Sequence, residues 1–120
     1  MYKRILIATD GSETAMHAVE IGADLAKNVK AKTILVHVGD PKRGEKVLAA
    51  AAKAVSGKPK TVTLEGDPAD KILEVAENDD VDLIVVGNKG MTGAKRFLLG
   101  SVPNKISHHA PCSVLIIRTT

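Results

Sequence analysis

Four small residues at fixed spacing carry the strongest chemical signal in this chain. Gly87 and Gly90 follow directly on the apolar run Leu83-Ile84-Val85-Val86, and nine residues further on stand Gly100 and Ser101. Glycine lets backbone approach a ligand closely, with no Cβ in the way. Unpaired amides in such a loop, joined by the partial positive charge of a helix start behind it, make a socket for an anion. One helix end contributes about 0.3–2 kcal/mol toward an anion, so several amides must act together. Ser101 adds a hydroxyl, and Lys89, Lys95, Arg96 and Lys105 add local positive charge. The pattern suits the cradling of a phosphate. It is not a Walker A loop, because no GxxxxGKS/T run occurs.

Asp10, in Ala8-Thr9-Asp10-Gly11-Ser12, is the second candidate. A carboxylate at the end of a first strand faces the same crevice, where it can accept from ribose hydroxyls or hold Mg²⁺ beside phosphates. Aspartate before Gly-Ser is also ordinary turn and helix-cap chemistry.

Other reactive residue types lack the partners their chemistry needs. Ser12, Ser101 and Ser107 stand outside a GxSxG context, and nothing orders a catalytic triad. His17, His108 and His109 have no carboxylate or cysteine at metal-ligand spacing, so no metal centre of their own is expected. His37, inside an apolar strand, is expected to be a hydrogen-bonded core histidine. Cys112 is the only cysteine, which excludes a disulfide framework, and it is expected to be small buried filling at the start of the last strand.

Those residues need a scaffold, and five short apolar runs supply one: Arg4–Thr9, Thr33–Val38, Thr61–Leu64, Asp82–Val86 and Val114–Ile117. Most are continuously apolar, as parallel strands covered on both faces must be. Helical spacing fills the gaps. The first helix is capped by Ser12 and buries Ala15, Val19, Gly22, Ala23 and Ala26. The second is an alanine-rich run from Glu45 to Val55, its Ala49–Ala52 stretch reading as a close-packed face. The third is capped by Asp67 ahead of Pro68 and buries Ile72, Leu73, Val75 and Ala76. The fourth starts near Ser101, carries Val102 and Ile106, and stops at Pro111. Strands alternating with helices predict an α/β fold with a parallel sheet and helices on both faces. Ligands in such sheets sit beyond the carboxyl ends of the strands, here Thr9-Asp10, Val38-Gly39 and Gly87.

Composition limits the function classes. One domain spanning residues 1–120 is expected, with a core of Val, Ile, Leu and Ala, since Tyr2 and Phe97 are the only aromatic residues. A net charge of +3, spread along the chain without stacking aromatics, argues against nucleic-acid binding. The opening MYKRILIATDG has no signal-peptide h-region, and no apolar run is long enough to span a bilayer, so a soluble cytoplasmic protein without membrane attachment is expected.

With those residues in place, the chain resembles the nucleotide-binding branch of the universal stress protein family. Its G-x2-G-x9-G-S/T hallmark is matched by Gly87, Gly90, Gly100 and Ser101, and the runs ILIATDGS, ILVHV, DLIVVGNKG, LLGSV and HAPCSVLII are similar to the family across the whole chain. The resemblance implies a flavodoxin-like, Rossmann-like sandwich with a five-stranded sheet of order 3-2-1-4-5, and a homodimer. Val114–Ile117, an apolar run on a sheet edge in that topology, gives the dimer a physical rationale. The resemblance also places adenine at Ala8, Thr9, Asp10 and Val38, and ribose and phosphates at Val86, Gly87, Gly90, Gly100, Ser101 and Val102. ATP or another adenine nucleotide such as cyclic AMP is the implied ligand, with Mg²⁺ or Mn²⁺ beside the phosphates and Asp10 as the metal contact. The function expected is nucleotide-dependent regulation in a stress response, with at most slow ATP hydrolysis, because no residue is placed to orient an attacking water. The rival expectations are a slow Mg²⁺-dependent ATPase or self-phosphorylating protein, and a nucleotide-free dimeric interaction module. Two departures stand out: the connection from Gly39 to Lys60 is short for the family, and Pro103-Asn104 alters the start of the fourth helix.

Overall fold

A computed structural model describes residues 1–89 and 100–119. Strands β1 (Arg4–Ala8), β2 (Lys32–Val38), β3 (Lys60–Leu64), β4 (Leu83–Gly87) and β5 (Ser113–Ile117) alternate with helices α1 (Glu13–Val29), α2 (Pro41–Ala52), α3 (Pro68–Asn78) and α4 (Ser101–His109). The strands form one sheet in the order β3-β2-β1-β4-β5, every neighbouring pair parallel. This is the 3-2-1-4-5 order that the resemblance implied.

Alternation along each strand divides the core into two layers. On one face Ile5, Ile7, Leu35 and Val85 pack against α1 and α2 through Val19, Ala26, Leu48 and Ala51. On the other, Leu6, Val36, Ile84 and Val86 pack against α3 and α4 through Ile72, Ala76, Val102 and Ile106. Ile5, Leu6 and Ile7 are wholly buried, because β1 has strands on both sides and helices on both faces. Asp82 fastens the start of that central strand. Its carboxylate accepts from the amides of Lys3 at 2.8 Å and Arg4 at 3.1 Å.

Three helices open on side-chain caps. Ser12 Oγ accepts from Ala15 N, Asp40 Oδ2 from Arg43 N and Asp67 Oδ2 from Asp70 N, at 3.1, 2.9 and 3.0 Å. Such caps are worth about 0.5–2 kcal/mol each.

The second helix differs from the sequence reading. It starts at Pro41, not Glu45, because Asp40-Pro41 is the same cap-then-proline signal as Asp67-Pro68. At its far end the amides of Ala54 and Val55 bond three residues back, so the chain tightens into turns where helix was expected. Ala49 and Ala50 face outward and only Ala51 is fully buried, so the expected alanine face is narrower. Ala15 and Leu73 are half-buried at the margins of their stripes. Cys112, expected to be buried, is half-buried just before β5, and burial followed by the charge of Asp82 pushes its thiol pKa up.

Candidate functional site at the carboxyl ends of the strands

The carboxyl ends of β1 and β4, flanked by β2 and β5, converge with the starts of α1 and α4. Ala8, Asp10, Val86, Gly87 and Val102 line one crevice there, which encloses about 30 Å³. Five of the residues expected at the site are thus brought together. Ser12, Thr14, Ala15, Lys89 and Thr119 complete its walls. The sequence pattern marked Ser12 as a helix cap and not as a site residue, and did not single out Thr14 or Thr119.

Thr9 and Val38 are adjacent but take no part in that lining. Thr9 is buried; its amide donates to Val36 O at 3.0 Å and its Oγ1 accepts from Gly11 N at 3.2 Å. Asp10 closes the turn into α1, its Oδ1 accepting from Ser12 N at 2.9 Å. Gly11 takes φ +85 in that turn, a left-handed conformation in which a side chain would be strained. One carboxylate oxygen therefore serves the turn. The Mg²⁺ ion expected beside phosphates is normally held by one or two carboxylates, with phosphate and water completing its shell. Asp10 fits that modest role, whereas no group of three or more His, Cys, Asp or Glu among the described residues forms a metal cage.

Gly90, Lys95 and Arg96 lie outside the described residues. The loop was expected to offer unpaired amides, and at its two ends they are paired. Asn88 N donates to Ile117 O at 2.8 Å, and Gly100 N donates to Asn88 O at 2.9 Å. The helix start behind them remains suited to an anion. Among the four helices α4 differs in opening on Gly100, which makes no side-chain cap bond. In its first turn Pro103 has no N–H, and Asn104 N turns inward to Gly100 O at 3.1 Å.

His37 corrects a second expectation. It is buried under α2, as predicted, yet its Nδ1 has no hydrogen-bond partner. The reason is steric: His37 packs beneath Gly44, whose missing Cβ would sit 3.0 Å from that nitrogen, and no donor or acceptor reaches in. Burial, then the positive charge of Arg43, lowers its pKa, while Asp10 and Asp40 oppose the shift. Arg43 itself crosses to the β1 end, Nη2 donating to Asp10 O at 3.4 Å.

A doubly covered parallel sheet in the order 3-2-1-4-5 defines an α/β protein of the flavodoxin-like class. Comparison with known proteins narrows the class. The universal stress protein family model matches residues 1–55 and 42–118. A universal stress protein of Methanothermobacter thermautotrophicus is 35% identical over 144 residues, covering 99% of this chain and 97% of the relative. The universal stress protein YxiE of Bacillus subtilis is 32% identical over 148 residues, covering 98% and 100%. A solved universal stress protein in complex with cAMP superposes with a TM-score of 0.82 at 29% identity, covering 99% of this chain and 98% of that one. The chain belongs to the universal stress protein family.

Those alignments are longer than this 120-residue chain, so the relatives carry segments it lacks. The two matched segments overlap at residues 42–55, in and just after α2. No helix among the described residues is long and apolar enough to cross a membrane.

Proposed function

We propose that this chain is a small cytoplasmic regulatory protein that binds an adenine nucleotide, ATP or cyclic AMP, at the carboxyl ends of β1, β2 and β4. The adenine rests against Ala8, Thr9, Asp10 and Val38. The ribose and phosphates meet Val86, Gly87, Gly90, Gly100, Ser101 and Val102, with Lys89 adding charge and Asp10 meeting a phosphate-bound Mg²⁺ or Mn²⁺. The observation that carries this reading is the bare start of α4. Three helices close their first turn with Ser12, Asp40 or Asp67, whereas α4 begins on a residue with no side chain, beside the crevice that Ala8 and Asp10 line. Likeness to a universal stress protein that binds cAMP supports the same ligand class.

A nucleotide is far larger than a hollow of about 30 Å³, so binding separates these walls. The walls include Thr119, which follows the edge strand β5. Occupancy therefore acts on the edge at which we place the homodimer contact, and this gives nucleotide binding a route to partner choice.

Calorimetry with ATP and with cyclic AMP, on wild type and Gly100→Val, tests the site. A branched side chain at Gly100 fills the space of a phosphate, and at least a tenfold loss of affinity is expected for the preferred nucleotide. Wild-type affinity in a natively folded Gly100→Val protein overturns the assignment. Heat with neither nucleotide on wild type leaves the nucleotide-free module as the reading.

A further inference from the structure

We propose a second ligand site at the opposite, amino end of the sheet, taking a small organic anion that has an apolar or ring body. It shares no lining residue with the nucleotide crevice, so the two assignments stand or fall separately.

The groove there holds about 640 Å³, against roughly 300–1,000 Å³ for small-molecule sites. Ala31, Ile34, Val55 and Pro59 provide apolar lining. Arg4, Lys32 and Lys60, the first residues of β1, β2 and β3, and Lys58, from the turn into β3, provide positive charge. Asp79 and Asp80 oppose them from the turn after α3. Lys60 Nζ lies 2.8 Å from Asp79 Oδ2, so that pair cancels, and Asp80 offsets one more cation. A surplus of two positive charges remains above an apolar lining. A smaller hollow of about 290 Å³ adjoins it, sharing Ala31, Thr33, Val55, Ser56 and Gly57, and adds Lys27 and Lys30 without an acid. Lysines near a helix end offset the carbonyl dipole, which accounts for Lys27 and Lys30. Arg4, Lys32, Lys58 and Lys60 belong to no helix, so that account does not reach them.

Two further observations bear on this end of the molecule. Lys30 (φ 60) and Asp80 (φ 51) are the non-glycine residues with positive φ among the described residues, and each stands on one of these hollows. A side chain in that region carries a steric cost that glycine does not. At Lys30 the chain thus keeps a positive charge beside the groove where glycine would fold at lower cost. The groove wall at Val55–Pro59 also lies where the chain returns from α2 to β3.

The test is an amide NMR titration of the intact protein with phenyl phosphate, with phenol and inorganic phosphate as separate arms. Saturable shifts are expected at Thr33, Ser56, Gly57 and Asp79, at least tenfold tighter for phenyl phosphate than for either part alone. The double variant Lys32→Gln with Lys58→Gln should weaken this binding at least tenfold. Lys58→Gln alone, in an exposed turn, should weaken it severalfold if the double variant does not fold. Shifts confined to residues 8–10 and 86–102, an unchanged affinity in the variants, or equal binding of inorganic phosphate each overturn the proposal.

Discussion

Asn88 and Thr119 form a clasp between the loop that follows β4 and the tail that follows β5. The Asn88 Oδ1 accepts from Thr119 N at 2.9 Å and from Thr119 Oγ1 at 3.0 Å. Its backbone extends the connection in both directions, donating to Ile117 O and accepting from Gly100 N. One residue thus joins the edge strand to the start of the helix proposed to hold phosphate.

Asn88→Ala removes the acceptor and leaves two half-buried donors of Thr119 unsatisfied. Losing such partners costs about 1–3 kcal/mol. Urea denaturation should show a stability loss of that size, and nucleotide affinity should fall with it. An unchanged midpoint would mean that the clasp contributes nothing to the fold.

Gly44→Ala inverts the usual rule for a helix interior. Alanine ordinarily gains about 1 kcal/mol over glycine in that setting. Here a Cβ would stand 2.7 Å from Thr63 Cγ2 and 3.0 Å from His37 Nδ1, and a β-branched threonine on a strand has little room to yield. The substitution should destabilise the protein by about 1–3 kcal/mol, as overpacking does. A rise in thermal midpoint would show that α2 is free to shift off β2 and β3.

His37 makes stability depend on pH with a defined sign. Its folded pKa lies below the ordinary 6.5, chiefly through burial. As pH falls, the unfolded chain takes up the proton first, so stability declines from about pH 6.5 downward until the folded value is passed. Denaturation midpoints at pH 7.5 and 5.5, conditions chosen to bracket that window, should differ in the wild type, with the lower midpoint at acid pH. His37→Leu removes the orphaned nitrogen and should flatten that slope. An equal slope in the variant would assign the pH dependence elsewhere.

The β5 edge gives a prediction about assembly. Val114, Leu115 and Ile116 are half-buried on a strand that, among the described residues, pairs only with β4. An unpaired apolar edge recruits a partner. Light scattering should find a dimer, and Ile116→Lys should yield a folded monomer. A wild-type monomer at tens of micromolar, a concentration set for the measurement, removes the proposed contact.

The fold was legible because strand and helix periods alternate cleanly and most strands are continuously apolar. The extent of α2 was less so. Glu45 looked like its start because the alanine run is conspicuous, while Asp40-Pro41 sits directly behind the end of β2 and reads as a turn. Its caps show that a cap-then-proline pair outweighs composition. At the site, glycine spacing pointed to the α4 start, which lies beside Ala8 and Asp10 as expected. The clasp was not legible, because nothing local to Asn88 indicates that its partner is Thr119, across the sheet edge. His37 was legible as buried and not as unpartnered, since an orphaned nitrogen depends on which backbone packs over it.

The same clasp bears on how this protein should be handled. Met1 is exposed, and the amides of Lys3 and Arg4 are already held by Asp82, so a purification tag at the front leaves the crevice undisturbed. A fusion behind Thr119 pulls on Asn88 and through it on Gly100, and will distort titrations that a front-tagged protein reports faithfully.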